Sequence, residues 1–168
     1  HTAVLCAINH ALPEYSRKGL QSTNQRLLVY CSSESHHSIG KAAMMTGLGI
    51  DSVRSVASDQ EQKMDIELLE QQIIRDMEEG HKPMLIVATA GTTGSGAIDP
   101  MPTLSTLVKK YGLWLHADAA YGGAAILDPE MNQVLEGIDK ADSITFDMHK
   151  WMSVPMGASI FLTRDKEI

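Results

Sequence analysis

Two rhythms of apolar residues take turns along the chain, one with helical spacing and one of short, nearly unbroken apolar runs. Val4, Leu5, Ile8 and Leu12 follow the helical period and predict a helix over residues 1–15, stopped near Pro13. Arg26-Leu27-Leu28-Val29-Tyr30-Cys31 predicts a strand, and Ser32 to Ser35 a polar turn. A second helix is expected from His37 to Leu48, closed by Gly49, then a strand over residues 52–57. Residues 65–79 have the pattern of an amphipathic helix, with Ile66, Leu68, Leu69, Ile73 and Ile74 mostly on one face and Gly80 at the end. Residues 84–90 form the most hydrophobic strand, and so continuous a run suits a sheet covered on both faces.

A glycine-rich loop over residues 91–100 leads to a helix over 101–110 and a strand over 113–118. Asp128-Pro129-Glu130 is expected to begin a short helix reaching Gly137, before a strand over 142–146. The next apolar run, residues 158–163, follows after a loop too short for a crossover helix, so it should lie antiparallel to its predecessor. The order predicts a three-layer α/β/α fold whose sheet is mostly parallel with one antiparallel strand. No repeat, low-complexity stretch or internal linker breaks the 168 residues.

Charge narrows the partners. A net charge of −7 argues against nucleic acid and anionic membrane, which would call for a basic face. Cys6 and Cys31 sit far apart among apolar neighbours, so neither a disulfide framework nor a zinc site is expected and a reducing cytoplasm is the default. No apolar run approaches the roughly 18 residues of a membrane span, and nothing resembles a signal peptide. The chain opens in mid-helical rhythm without an initiator Met and stops just after a strand, which reads as the middle of a longer protein.

The candidate chemistry lies just beyond strand ends, where ligands collect in α/β sheets. Asp118, in His116-Ala117-Asp118-Ala119-Ala120-Tyr121-Gly122-Gly123, leaves one strand. Lys150, in Asp147-Met148-His149-Lys150-Trp151, follows another 32 residues later. Lysine and carboxylate are what pyridoxal phosphate needs from a protein: an amine for the aldehyde and an acid to keep the ring nitrogen protonated. Other motifs fail. Residues 91–96 are glycine-rich but lack the lysine of a P-loop and the spacing of a dinucleotide fingerprint, and no metal-ligand spacing stands out.

These two motifs, with Ala141-Asp142-Ser143-Ile144, Ala88-Thr89-Ala90-Gly91-Thr92-Thr93 and Ser35-His36-His37-Ser38 in the same order, resemble the group II pyridoxal-phosphate-dependent amino-acid decarboxylases, which include the aromatic-amino-acid, glutamate and diaminobutyrate enzymes. The resemblance spans residues 35–151. It implies the core of the fold-type-I, aspartate-aminotransferase-like large domain, with residues 1–168 a partial pyridoxal-phosphate-binding domain lacking the upstream phosphate loop and the C-terminal small domain. It further implies a cytoplasmic homodimer that decarboxylates a small-molecule L-amino acid.

Carried over residue by residue, the resemblance makes Lys150 the Schiff-base lysine and Asp118 the partner of the pyridinium nitrogen. Ala120 would pack on one ring face and His36 on the other, with adjacent His37 a rival. Thr93 would bond the ring hydroxyl or orient Asp118, and His149 would reach the phosphate. Asp147 is a departure, since the aromatic and glutamate branches usually carry asparagine there. Aspartate at that place and Pro155-Met156-Gly157 resemble diaminobutyrate-type and sphingosine-phosphate-lyase-like relatives, whereas Trp151 resembles the aromatic branch. An acid near a phosphate also needs a hydrogen-bond donor such as Ser or His. Two alternatives stay open: a C–C lyase or aminotransferase on the same fold, and a non-catalytic fragment or pseudoenzyme. The family's proton donor is expected beyond residue 168.

Overall fold

The computed structural model describes residues 1–166; Glu167 and Ile168 lie outside the described residues. In chain order the elements are α1 (Thr2–Ala11), α2 (Tyr15–Lys18), β1 (Leu27–Ser32), α3 (Ser38–Met45), β2 (Val53–Val56), α4 (Ile66–Glu78), β3 (Lys82–Thr89), α5 (Met101–Tyr111), β4 (Trp114–Asp118), β5 (Ser143–Asp147), α6 (Met148–Trp151) and β6 (Ser159–Thr163). The six strands form one sheet in the order β2-β1-β3-β4-β5-β6. Every neighbouring pair is parallel except β5 and β6, which are antiparallel as the short connection requires.

Strand residues divide cleanly by period 2. Leu28, Tyr30, Ile86, Ala88, Leu115 and Ala117 pack with Leu69 and Ile73 of α4 and Leu104 and Val108 of α5. Their alternates Leu27, Val29, Cys31, Leu85, Val87 and Trp114 pack with Val4 and Ile8 of α1 and Ile39 and Ala42 of α3. All of β1 is buried, as expected of a parallel strand covered on both faces. Burying a Leu, Ile or Val side chain contributes about 1.5–3 kcal/mol, so the alternation holds the sheet to one register: a one-residue slip would exchange the two helix layers.

Local chemistry sets the ends. Asp65 caps α4 by accepting from the Leu68 amide at 3.0 Å, and Gly112 closes α5 in the left-handed conformation. α3 stops at Met45, short of the expected Leu48, because Thr46 turns its hydroxyl back onto the Ala42 carbonyl at 2.8 Å. α1 ends at Ala11, before Pro13, and the single turn α2 follows. In α4, Leu68 and Ile74 are exposed, so its buried stripe is narrower than the pattern suggests.

The short helix expected over residues 128–137 is absent. Residues 122–140 instead form three 3₁₀ turns: Gly122–Leu127, Asn132–Leu135 and Ile138–Lys140. Ile126, Leu127, Met131 and Val134 remain exposed, so no buried face rewards a regular helix there. Conversely, the segment carrying Lys150, expected as a loop, is the one-turn helix α6. Among the described residues no helix is long and apolar enough to cross a membrane.

Two buried acids brace the layers. Asp76, fully buried, accepts from Tyr30 Oη (3.0 Å), Arg54 Nε (3.0 Å) and Gln72 Nε2 (3.1 Å). Asp99 accepts from the amides of Met64 and Thr89, both at 2.7 Å, and so anchors the end of β3 next to the glycine-rich loop. Burial pushes the Asp99 carboxyl above its ordinary value, against the pull of those two amides.

Candidate active site

Chain segments leaving the C-terminal ends of β1, β3, β4 and β5 converge on one cleft of about 660 Å³. This is the end of the sheet where a parallel α/β fold binds ligands, at the switch between strands wound in opposite directions. β1 delivers Glu34 and His36, β3 delivers Gly91 and Thr93, β4 delivers Asp118, Ala120 and Tyr121, and β5 delivers Asp147 and Lys150. The start of α1 and the edge strand β6, through Ile160 and Phe161, complete the wall.

Asp118 ends β4, paired in register with Thr89 of β3 on one side and Thr145 of β5 on the other. Its Oδ1 accepts from the Ala120 amide at 3.2 Å, which ties the carboxylate to the following turn. That turn is tight because Gly122 and Gly91 lie against each other: a Cβ on Gly122 would sit 2.3 Å from the Ala90 carbonyl oxygen. No side chain other than hydrogen fits at 122.

Lys150, on the single turn α6, is about one-third exposed at the side chain, and its Nζ lies 3.2 Å from Asp147 Oδ2. Asp147 is mostly buried, and its other oxygen accepts from the Ser159 hydroxyl of β6. The donor that an acid at this place requires is therefore supplied by Ser159 and Lys150. Tyr121 meets Trp151 edge-on at 5.3 Å and 90°, bracing the β4 turn against α6.

His36 lines the cleft, whereas His37 is the exposed residue that precedes α3 and does not. The Ser38 amide donates to His36 Nδ1 at 3.3 Å, with the Ser38 hydroxyl 2.9 Å from the same atom, so Nδ1 is an acceptor and the ring proton lies on Nε2. Burial and the neighbouring His37 lower the His36 pKa, with Asp118 pulling the other way and Lys150 and Lys41 adding to the repulsion. His36, Asp118 and Lys150 thus act electrostatically on one another across the cleft.

Of the remaining expected site residues, Thr93 stands on the exposed side of its loop and lines the cleft. Its neighbour Thr92 is buried, and its Oγ1 is engaged with Ser95 Oγ (2.8 Å) and the Ala97 amide (3.1 Å), which shapes the loop. Ala120 lines the wall beside Asp118. His149 is not brought to the cleft wall: its Nδ1–H donates to the Ala158 carbonyl at 2.9 Å and its Nε2 lies 3.7 Å from Asp147.

Three residues that the sequence reading passed over also belong to the cleft: Thr89, His116 and Thr145. Thr89 Oγ1 lies 3.1 Å from Ser35 Oγ, which ties the β1 turn carrying His36 to the end of β3. His116 stands two residues before Asp118, and side chains two apart share a strand face, so the alternation in His116-Ala117-Asp118 was the signal available for it.

The amine, the carboxylate, the small residue between them and the uncharged imidazole suit a flat, phosphorylated aromatic aldehyde with a basic ring nitrogen. Pyridoxal phosphate fits this donor set.

Comparison with known proteins agrees. Residues 2–168 match the family model described as the pyridoxal-dependent decarboxylase conserved domain. The chain is 39% identical over 166 residues to the mouse (Mus musculus) acidic amino acid decarboxylase GADL1, covering 96% of this chain and 30% of the relative. The crystal structure of mouse CSAD in apo form superposes with a TM-score of 0.94 at 39% identity, over 98% of this chain and 34% of that one. Oryza sativa TDC with PLP superposes with a TM-score of 0.89 at 30% identity, over 99% and 35%. The chain spans about a third of the length of these relatives.

Proposed function

The chain belongs to the pyridoxal-dependent decarboxylase family, and from that premise we propose that the protein removes the α-carboxylate of an L-amino acid as CO2, with pyridoxal 5′-phosphate as cofactor. The observation that carries this reading is the pairing of Asp118 and Lys150: they follow adjacent parallel strands, β4 and β5, at the same end and line the same cleft. When bound, the cofactor supplies the electron sink that a bond broken at Cα requires.

Lys150 holds the cofactor covalently through Nζ, and Asp147, 3.2 Å away, holds that amine in place and can take a proton from it. Asp118 pairs with the protonated ring nitrogen. Ala120 leaves room for the ring face, since any larger side chain would intrude on it. His36, its ring neutral with the proton on Nε2, covers the opposite face and offers an uncharged donor. Thr93 bonds the ring hydroxyl or steadies Asp118. His149, engaged with Ala158, holds α6 against β6 and thereby Lys150 in position. Val87, Ile160 and Phe161 form an apolar wall that restricts water near the amine.

Residues 1–168 serve as part of the cofactor-binding large domain in this reading. Two buried free thiols, Cys6 and Cys31, support a reducing cytoplasm. The exposed apolar cluster of Ile126, Leu127, Met131 and Val134 supports burial against further polypeptide, as in a homodimer.

The test is direct. Full-length protein mixed with pyridoxal phosphate should develop a visible absorbance band and release CO2 from an L-amino acid in a substrate panel. Lys150→Ala should lose both. A Lys150→Ala protein with full CO2 release refutes the assignment, and keto-acid or aldehyde products in place of CO2 would move it to an aminotransferase or C–C lyase.

A further inference from the structure

The buried ring of His116 occupies a place that the proposed chemistry leaves unused. Ser143 Oγ, 1% exposed, lies 2.9 Å from the indole Nε1 of Trp114 and 2.9 Å from His116 Nδ1. An indole N–H can only donate, so Ser143 Oγ accepts from Trp114. The serine hydrogen then needs an acceptor of its own, and Nδ1 is the one in reach; a proton on Nδ1 would leave the serine hydrogen buried and unpaired. The ring proton therefore sits on Nε2, which donates to Thr145 Oγ1 at 3.3 Å. With its oxygen already accepting, Thr145 keeps its own hydrogen for the cleft, which it lines in register with Asp118 on the adjacent strand.

We propose that Trp114, Ser143 and His116 form a one-way hydrogen-bond chain that makes the Thr145 hydroxyl a fixed donor toward the Asp118 carboxylate. His116 and Thr145 are then positioning residues for the acid that pairs with the cofactor ring, a role that rests on the function proposed above. The charged neighbours of His116 are Asp118 on its own strand and the amino-terminal group at the start of α1. β5 presents the Ser143 and Thr145 hydroxyls and β6 presents the uncharged ring of Phe161, stacked at 6.1 Å. Burial keeps the imidazole neutral, lowering it to about 4 against the attraction of Asp118.

Two measurements on the full-length protein test this separately. The first uses cofactor-free protein labelled with ¹⁵N at histidine, with the His116 signals assigned by their loss in His116→Gln. A long-range ¹H–¹⁵N spectrum should show one neutral form protonated at Nε2 between pH 6 and 8. A ring protonated at Nδ1, exchanging between tautomers or charged overturns the chain. The second is pyridoxal phosphate titration followed by absorbance. Thr145→Val should weaken binding about tenfold, the scale of one hydrogen bond to a charged group, and Thr145→Ser should restore it. Wild-type affinity in Thr145→Val overturns the role of Thr145. If wild-type protein binds no cofactor, the proposed function falls while the tautomer result stands by itself.

Discussion

Acidification from pH 7 to pH 4 should remove a contribution to stability that comes from His116. The residue is 6% exposed, and burial lowers its pKa from 6.5 to about 4. In the unfolded chain the ring takes up a proton at its ordinary value, whereas in the fold it stays neutral until about pH 4. A group with a depressed folded value contributes stability in full above its unfolded value, and that contribution is lost as pH falls through the interval. At about 1.4 kcal/mol for each tenfold change in proton affinity, the interval amounts to roughly 3 kcal/mol. The assay is urea unfolding of full-length wild type and His116→Gln at half-unit steps between pH 7 and pH 4. Glutamine keeps polar atoms for Ser143 and Thr145 but does not titrate in this range. Other titrating groups, Asp118 and Asp147 included, are present in both proteins and drop out of the difference. Wild type should lose about 3 kcal/mol more than the variant over that range. Parallel pH curves for the two proteins would refute a neutral buried ring.

Gly122→Ala forces a Cβ to within 2.3 Å of the Ala90 carbonyl oxygen, a backbone atom that cannot swing aside. A loss of about 1–3 kcal/mol is expected by thermal or urea unfolding, together with weaker pyridoxal phosphate binding, because Ala90 leads into the cleft wall at Gly91 and Thr93. Tyr30→Phe removes one of three donors to the fully buried Asp76 and should cost about 1–3 kcal/mol. Its cofactor titration should match wild type, since Tyr30 packs in the α4/α5 layer, on the sheet face opposite α1 and α3. A shifted titration would mean that the two layers are coupled.

Periodicity alone located all six strands and the four longer helices, because burial on two sheet faces writes period 2 and period 3.6 directly into the apolar residues. The antiparallel turn of β6 was equally legible, since a connection without a crossover helix has no other geometry open to it. Residues 122–140 were misread because a local run of apolar residues does not say whether anything will cover it; here nothing among the described residues buries Ile126, Leu127, Met131 and Val134, and a chain of 3₁₀ turns results.

By itself, then, the sequence determined the α/β order and the position of Asp118 and Lys150 just past strand ends, since both follow from neighbours along the chain. Tertiary structure alone decided that His36 and not His37 faces the cleft, that Asp147 holds the Lys150 amine, and that His116 of β4 joins Ser143 and Thr145 of β5. Those contacts bring together groups up to 29 residues apart. They exist only because packing on both faces sets the register of one strand against the next, a constraint that the residues along a single strand do not carry.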